Sequence, residues 1–482
     1  MPRMTRSVKI TLVVAACLLL PYFALRWTLY AVYTVRVNRE LALLKTEGGS
    51  THLADFSPQA KAAREGRTIR LYKEDDFAYE YPRRRATDPA RGFALDPYAP
   101  LDSTQAAKAA IVFDDWLGAG SGGLSGSLSK DWQDRWLPYL EKHLEDNRAV
   151  LDHVKAAATA GDGAFDVDWS KGYLVSLRHV RYLRDLSNLL RIEAVVKARK
   201  GDMPGALEDV RLMFRMRRLM DGDPLQYAKL NAMASDLRAE TALRAVLFFG
   251  APDRESVGRI TAELADHQER NCMTDMLFGE TAFGIQFYGA MRRNAAALDG
   301  LNDMYGDAMG DPSVRSAPWT TRRQLEAILF RLVWIPPKDE YEYLAAMRSL
   351  RAWSRQDLAA AAATPPVVPD ANGLRDLQHL LAAELAGGNS RLRILEADSD
   401  ARVRMVPVVL ALALYKSDTG AYPSSLDPLV PRYLPAIPAD PYDGQPMRYR
   451  QSGSAWRLYS IGEDRLDRGG VQYWDVLWES GE

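Results

Sequence analysis

The feature that constrains this chain most is a long apolar run near its N-terminus. Within residues 10–25, every side chain except Thr11 is apolar or belongs to a proline. As a helix, this run covers about 24 Å, which is less than the roughly 30 Å hydrocarbon core of a bilayer. The apolar pattern resumes after Arg26 and continues to Val35, which makes the whole stretch long enough to span. The sequence therefore predicts an N-terminal transmembrane helix within an anchor segment, residues 1–48.

The residues that flank the run predict its orientation. Arg3, Arg6 and Lys9 precede it, and no acidic residue occurs before position 40, which favours a cytoplasmic N-terminus. Arg36 and Arg39 follow the run and count against this orientation. No small-x-small cleavage site follows the run, so an uncleaved signal anchor is favoured over a removed signal peptide. We expect a single-pass protein of the inner (cytoplasmic) membrane, with the bulk of the chain extracytoplasmic.

Composition limits the function less than the N-terminus does. The 482 residues carry 62 Lys and Arg against 63 Asp and Glu, and this net charge of -1 gives no general attraction to nucleic acid. The length allows two or three domains. The two cysteines, Cys17 and Cys272, lie in the apolar run and in a helical pattern, so we expect no disulfide between them.

Two segments of different character follow the anchor. Residues 49–129 combine prolines, glycines and charges without a sustained period, which predicts an irregular connector. Residues 130–395 predict a helical domain, because Leu183, Leu186 and Leu190 recur at three- and four-residue steps with basic residues between them. Helical hairpins in this domain look loosely like tetratricopeptide-type repeats. No fixed period is present, so we expect an irregular helical array or bundle.

The motifs that usually mark a catalytic or cofactor site are weak in this chain. Gly118, Gly120 and Gly123 satisfy G-x-G-x-x-G after the strand-like AIVFDDWL, but the residues that follow do not predict the helix that a dinucleotide site needs. The histidines are scattered without metal-ligand spacing, and the adjacent acids Asp114 and Asp115 have the character of solvated surface. We assign no catalytic and no cofactor-binding residues, and a role other than catalysis is favoured.

The last segment, residues 396–482, changes to short elements rich in proline, glycine and tyrosine. Its helical beginning, ARVRMVPVVLALALYKS, meets the stop DTGAYP, in which Gly420 suits a left-handed cap and Pro423 prevents the helix from resuming. PMRYRQS and AWRLYSIG then alternate as strands across a Gly-Ser turn, which predicts a β-hairpin.

An ordered set of turn-forming and anchoring residues runs through this segment. The set consists of Tyr415, Asp418, Gly420, Tyr422, Pro423, Leu426, Leu429, Leu434, Pro435, Pro438, Asp440, Pro441, Gly444, Pro446, Tyr449, Leu458, Tyr459, Ser460, Gly462, Asp464, Gly469, Gly470 and Asp475. In this order and spacing, residues 400–478 resemble the globular domain of the major pseudopilin of bacterial type II secretion systems. The resemblance implies a small α+β module, a helix packed on an antiparallel sheet. The anchor lacks the leader junction and the glutamate by which pseudopilins stack, so we do not expect polymerisation into a pseudopilus.

The resemblance also implies a metal site. The acidic C-terminal loop of that family can bind Ca²⁺, and the matching oxygen ligands here would be Asp464, Asp467 and Asp475. Ca²⁺ takes about six to eight oxygen ligands, and Arg465 and Arg468 in the same loop count against binding. No other cofactor is expected.

These features predict a mainly α-helical, membrane-anchored protein that acts by binding or scaffolding. Its expected partners are the membrane and other envelope or secretion-system proteins, and nucleic acid is not expected. One alternative is a membrane-tethered hydrolase whose carboxylate site is assembled between helices, which a cleft lined by several buried acids would favour. Another alternative is a lipid- or peptide-binding helical array, which a continuous apolar groove would favour.

Overall fold

The computed structural model describes most of the chain. The described residues are 6–79, 101–118, 130–161, 163–268, 273–294, 297, 304, 334–356, 360–361, 364–369, 380–471 and 476–479. Their side chains are described except at 6–19, 112, 114–118, 130–135, 266–268, 380, 384, 388 and 390. Cys272 and the part of the glycine motif beyond Gly118 lie outside the described residues.

The fold is mainly α-helical, as the sequence predicts, and a three-stranded antiparallel sheet lies near the C-terminus. The helices are α1 (Arg6–Thr46), α2 (Pro58–Arg64), α3 (Ser103–Gly118), α4 (Lys130–Asp146), α5 (Arg148–Ala160), α6 (Arg178–Arg199), α7 (Met203–Met216), α8 (Arg218–Asp221), α9 (Gln226–Phe249), α10 (Arg254–Gln268), α11 (Met273–Arg293), α12 (Pro336–Ser354), α13 (Leu380–Gly387) and α14 (Leu392–Thr419). The strands are β1 (Arg70–Tyr72), β2 (Gly163–Phe165), β3 (Arg448–Ser452), β4 (Ala455–Ser460) and β5 (Val476–Glu479). β1 and β2 pair in parallel as a separate sheet, and β3, β4 and β5 pair in sequence order.

Helix α6 runs through the helical domain and contacts α4, α5, α7 and α9. Leu183, Leu186 and Leu190 are fully buried, as their spacing predicts. Burial extends beyond the face that carries these leucines, because neighbouring helices also cover polar residues such as Glu193. The ammonium group of Lys155 on α5 pairs with the Glu193 carboxylate, which compensates the charge that would otherwise be costly to bury.

The stretch predicted as an irregular connector, residues 49–129, contains the helices α2 and α3, so the prediction is wrong for both segments. The AIVFDDWL stretch likewise lies in α3 and is not a strand. Helix α3 begins with the alanine-rich STQAAKAA, which favours a helix. Asp102 Oδ1 accepts the backbone N–H of Gln105 at 2.8 Å and caps the N-terminus. Capping and composition therefore indicate this helix better than periodicity does.

Helix α1 is one continuous helix, and its C-terminal part packs along α12. The two helices run parallel, because Tyr33 lies beside Tyr341 and, further along both helices, Glu40 Oε2 pairs with Arg348 Nε at 2.8 Å. Among the described residues, no helix combines the length and the apolar character needed to cross a membrane. The predicted transmembrane run falls partly on residues 10–19, whose side chains lie outside the described set.

The C-terminal helix and hairpin confirm their sequence predictions. Helix α14 ends at Gly420, whose φ of 85° gives the left-handed cap. β3 and β4 form an antiparallel hairpin that turns at Gly453, and Tyr449 pairs with Leu458 in its register. Helix α14 packs both on β4 and β5 and on α9 and α10 of the helical domain. The predicted boundary after residue 395 therefore falls inside a helix that both parts share.

The burial of α6 gives a stability prediction. Leu186→Asp is expected to lower the free energy of unfolding by roughly 4 kcal/mol, because it removes buried packing and places an uncompensated carboxylate among apolar side chains. Leu237→Asp is the matched control, since Leu237 on α9 is 48% exposed. The control is expected to change stability by less than about 0.5 kcal/mol. Denaturant unfolding of the purified full chain measures both, and equal stability of the two variants would contradict the buried position of Leu186.

Candidate functional site

A polar cavity of about 330 Å³ lies where α9, α14 and the loop before β3 meet. Helix α14 contributes Arg393, Glu396, Asp400 and Arg404 to its lining. These residues are three and four positions apart, so they share one face of the helix. Lys229 of α9 lines the same cavity. The arrangement turns a charged stripe of α14, which would be ordinary surface on an isolated helix, into one wall of a cavity.

The Glu396 carboxylate is held loosely in this cavity. Its Oε1 lies 3.6 Å from Lys229 Nζ, and its Oε2 lies 3.5 Å from Arg393 Nη1. Both carboxylate oxygens are shielded from solvent and accept no hydrogen bond from the described part of the chain. Lys229 itself is only 6% exposed. Because buried polar atoms are nearly always hydrogen-bonded, this group of charges suits a small ligand that offers both donors and acceptors.

The loop that borders the cavity is fixed by a fully buried carboxylate, that of Asp440. Asp440 accepts a hydrogen bond from Ser460 Oγ at 2.8 Å and pairs with Arg448 Nη1 at 2.6 Å. Arg404 joins the loop to α14 by donating to the Ala439 carbonyl at 2.8 Å. Asp440 and Ser460 both belong to the set of residues that carries the resemblance. Their contacts give these two positions a structural role, which is to hold the loop against the sheet.

The predicted Ca²⁺ ligands lie in and after the loop that follows β4. Asp464 Oδ2 pairs with Arg468 Nε at 2.9 Å, and Asp467 Oδ1 accepts the Tyr459 hydroxyl at 3.0 Å. Asp475 lies outside the described residues. Across the ranges that the structure describes, no group of three or more His, Cys, Asp or Glu side chains is placed to hold a metal ion. Ca²⁺ binding by Asp464, Asp467 and Asp475 stays a prediction.

A second cavity, of about 390 Å³, lies between the segment after α1, helix α2, the turn after α8 and the start of α11. Its lining includes four carboxylates, those of Asp55, Asp221, Asp223 and Asp275. Asp223 is buried, whereas Asp55 and Asp275 are exposed, and Asp275 pairs with Lys61 at 2.6 Å. The hydrolase alternative requires several buried acids, and of these four carboxylates Asp223 alone is buried.

Asp223 contacts a buried histidine that bridges two carboxylates. His179 Nε2 lies 2.7 Å from Asp223 Oδ2, and His179 Nδ1 lies 3.1 Å from Glu74 Oε1. Burial alone would lower the pKa of His179, but the two carboxylates outweigh burial and raise this pKa to about 9. The imidazole is therefore protonated at neutral pH and donates to both acids. No linear motif reveals this bridge, because Glu74 and Asp223 are 105 and 44 residues from His179.

Comparison of the chain with protein-family models, with curated proteins and with solved structures gives no match. The features that bear on function are the two cavities, the N-terminal helix and the C-terminal module. Gly118, the described residue of the glycine motif, is the last residue of α3.

The buried His179 gives a prediction for the pH dependence of stability. Its pKa is raised from 6.5 to about 9 on folding, so its stabilising contribution is complete below about pH 6.5 and is lost as the pH rises through about 9. The free energy of unfolding is expected to fall by about 3 kcal/mol more over this range in the parent chain than in His179→Gln. Denaturant unfolding at a series of pH values measures the difference.

A second variant keeps this test informative if His179→Gln does not fold. Glu74→Gln removes one of the two carboxylates that raise the pKa, so it should move the loss of stability to lower pH. Identical pH profiles for the parent and for the variants that fold would contradict a protonated His179.

Proposed function

We propose that the chain is a membrane-anchored extracytoplasmic protein that binds a small polar ligand in the cavity between α9 and α14. The observation that supports binding most directly is the Glu396 carboxylate, which lies between Lys229 and Arg393 and accepts no hydrogen bond from the residues that the structure describes. A ligand that donates to Glu396 and accepts from Lys229 would add short, charge-assisted hydrogen bonds where the ion pairs are long. Charged side chains line both cavities, which favours a polar ligand over a lipid tail.

The side chains exposed by α1 support the membrane anchor. Leu20, Leu25, Trp27 and Val35 have exposed fractions of 67%, 61%, 76% and 69%. Large apolar side chains that follow one another along a helix favour contact with lipid or another apolar partner. The sequence extends this apolar stretch through residues 10–19. We therefore propose a single N-terminal span in the inner membrane, with the helical domain and the C-terminal module extracytoplasmic.

The C-terminal module supports a relation to type II secretion. Its helix α14 packs on an antiparallel sheet, which is the architecture that the pseudopilin resemblance implies. Envelope or secretion-system proteins are therefore the macromolecular partners that we propose, with the chain acting as a binding or scaffolding component. Ca²⁺ bound by Asp464, Asp467 and Asp475 belongs to the same proposal and rests on the resemblance.

Ligand binding in the cavity is tested by thermal shift on the purified full chain. The panel contains small carboxylates, phosphates, amines, amino acids and sugars, and at least one of these classes is expected to raise Tm. Lys229→Met and Glu396→Gln should abolish the shift, because each removes one of the charges that the ligand would contact. Arg391→Gln is the control, since Arg391 on the border of α14 is exposed and pairs with Glu463 outside the cavity lining.

The cavity proposal fails on either of two results. One is that no compound of the panel raises the Tm of the parent chain. The other is a shift that persists in both Lys229→Met and Glu396→Gln, which would place the ligand elsewhere.

The orientation of the chain is tested by reporter fusions in a bacterial host. Alkaline phosphatase fused after residue 373 is expected to be active, because the basic residues before the apolar run favour a cytoplasmic N-terminus. A cytoplasmic fluorescent reporter at the same site should stay dark. The reverse pattern would show that Arg36 and Arg39 decide the orientation and that the body of the chain is cytoplasmic.

A second candidate function, a membrane-tethered hydrolase, is favoured by the acidic cavity. Asp223 is buried there and its carboxylate is oriented by the contact with His179, and in this second function it would serve as the general base. If this function holds, the chain hydrolyses a model ester, peptide or glycoside, and Asp223→Asn lowers the rate by about 100-fold or more. Asp152→Asn, at an exposed position of α5, is the control. Absence of hydrolysis by the parent across these substrates would reject this second function.

A further inference from the structure

A cation flanked by two tyrosines lies where α1 meets α12. The Arg36 guanidinium is 5.0 Å from the centre of the Tyr33 ring and 5.5 Å from the centre of the Tyr341 ring. The two rings are 5.7 Å apart, one from each helix. Arg36 is exposed to solvent, so the rings orient the guanidinium without covering it. The site therefore combines residues of the N-terminal helix and of the helical domain.

Arg36 and the next basic residue of α1, Arg39, lack compensating acids. Both are exposed, and neither forms an ion pair within the part of the chain that the structure describes. The acid that follows them on the helix, Glu40, is already paired with Arg348 at 2.8 Å. Because Arg36 and Arg39 are three residues apart, they lie on neighbouring parts of one helix surface. This surface therefore carries two positive charges that a ligand could neutralise.

These charges lie at the end of the exposed apolar part of α1. Trp27 and Val35 are 76% and 69% exposed, whereas Val37 is buried. Along the helix axis, Arg36 lies about 1.5 Å and Arg39 about 6 Å beyond Val35, the last residue of the apolar stretch. If the apolar part lies in lipid, the headgroup layer surrounds Arg36 and Arg39, since this layer extends roughly 5 to 8 Å beyond each side of the hydrocarbon core.

We propose that Tyr33, Arg36, Arg39 and Tyr341 form a binding site for the phosphate of an anionic phospholipid. The inference rests on the proposed membrane anchor. Guanidinium groups bind phosphate oxygens with two parallel hydrogen bonds, and stacking on the tyrosines prepares Arg36 for this geometry. Since Tyr341 belongs to α12, the bound lipid also contacts the helical domain and holds it close to the membrane surface.

The full chain, purified in a neutral detergent, tests the site by titration with short-chain phosphatidylglycerol and phosphatidylcholine. Phosphatidylglycerol is expected to bind about tenfold more tightly than phosphatidylcholine, because its net negative charge complements the two arginines. The double variant Arg36→Gln with Arg39→Gln should lose this preference. Lys45→Gln should keep it, since Lys45 is exposed on the same helix about 14 Å beyond Arg36. Arg36→Lys should reduce it, because lysine keeps the charge and loses the planar stacked group.

Two further measurements distinguish a phospholipid site from a site for free phosphate, and failure of the headgroup site from failure of the membrane anchor. Inorganic phosphate at the same concentration should not compete, and competition as strong as that of phosphatidylglycerol would mean a site for free phosphate and overturn the lipid proposal. Extraction of bacterial membranes with alkaline carbonate tests the anchor itself. Release of the chain by carbonate would refute the anchor. If the chain is retained, two results would refute the headgroup site alone. One is the absence of a preference for phosphatidylglycerol, and the other is a preference that persists in the double variant.

Discussion

Helix α14 is the element on which the helical domain and the C-terminal module both depend, because it packs against two helices of the helical domain and against the C-terminal sheet. Val406 and Leu410 on this helix are fully buried. A second contact fastens the sheet to the helical domain. Arg244 of α9 lies 4.2 Å from the centre of the Trp478 ring and donates to the Leu477 carbonyl at 3.1 Å. The C-terminal module is therefore a packed part of the body and not an appendage on a linker.

The same helix explains where the polar cavity lies. While its apolar residues fill the core, Arg393, Glu396 and Asp400 on its charged stripe line the cavity that α9 and the loop before β3 complete. A ligand there would contact the helical domain and the C-terminal module at once, so binding would strengthen their contact. In another part of the fold, α12 joins α1 through the pair of Glu40 and Arg348. The C-terminal part of α1, the polar cavity and the C-terminal module are thus parts of one packed body.

The sequence predicts those features that depend on neighbouring residues. The end of α14 at Gly420 and the β3–β4 hairpin follow from local turn chemistry, and the buried leucines of α6 follow from helical spacing. The sequence does not predict the features that depend on distant residues. His179 meets Glu74 and Asp223 only through folding, and the charged stripe of α14 becomes a cavity wall only because α9 lies opposite. The connector prediction is wrong for a different reason, since α3 is indicated by its cap and its alanine content and not by a sustained apolar period.

The claim that α9, α14 and the C-terminal sheet form one packed unit is tested most directly by native-state hydrogen exchange on the full chain. If they form one unit, the slowest amides of α14, around Val406 and Leu410, and those of α9, around Leu243 and Val246, exchange with opening free energies that agree within about 1 kcal/mol. The strands β4 and β5 should lose protection in the same opening. Exchange of α14 and the sheet through an opening several kcal/mol lower, with α9 still protected, would contradict the claim.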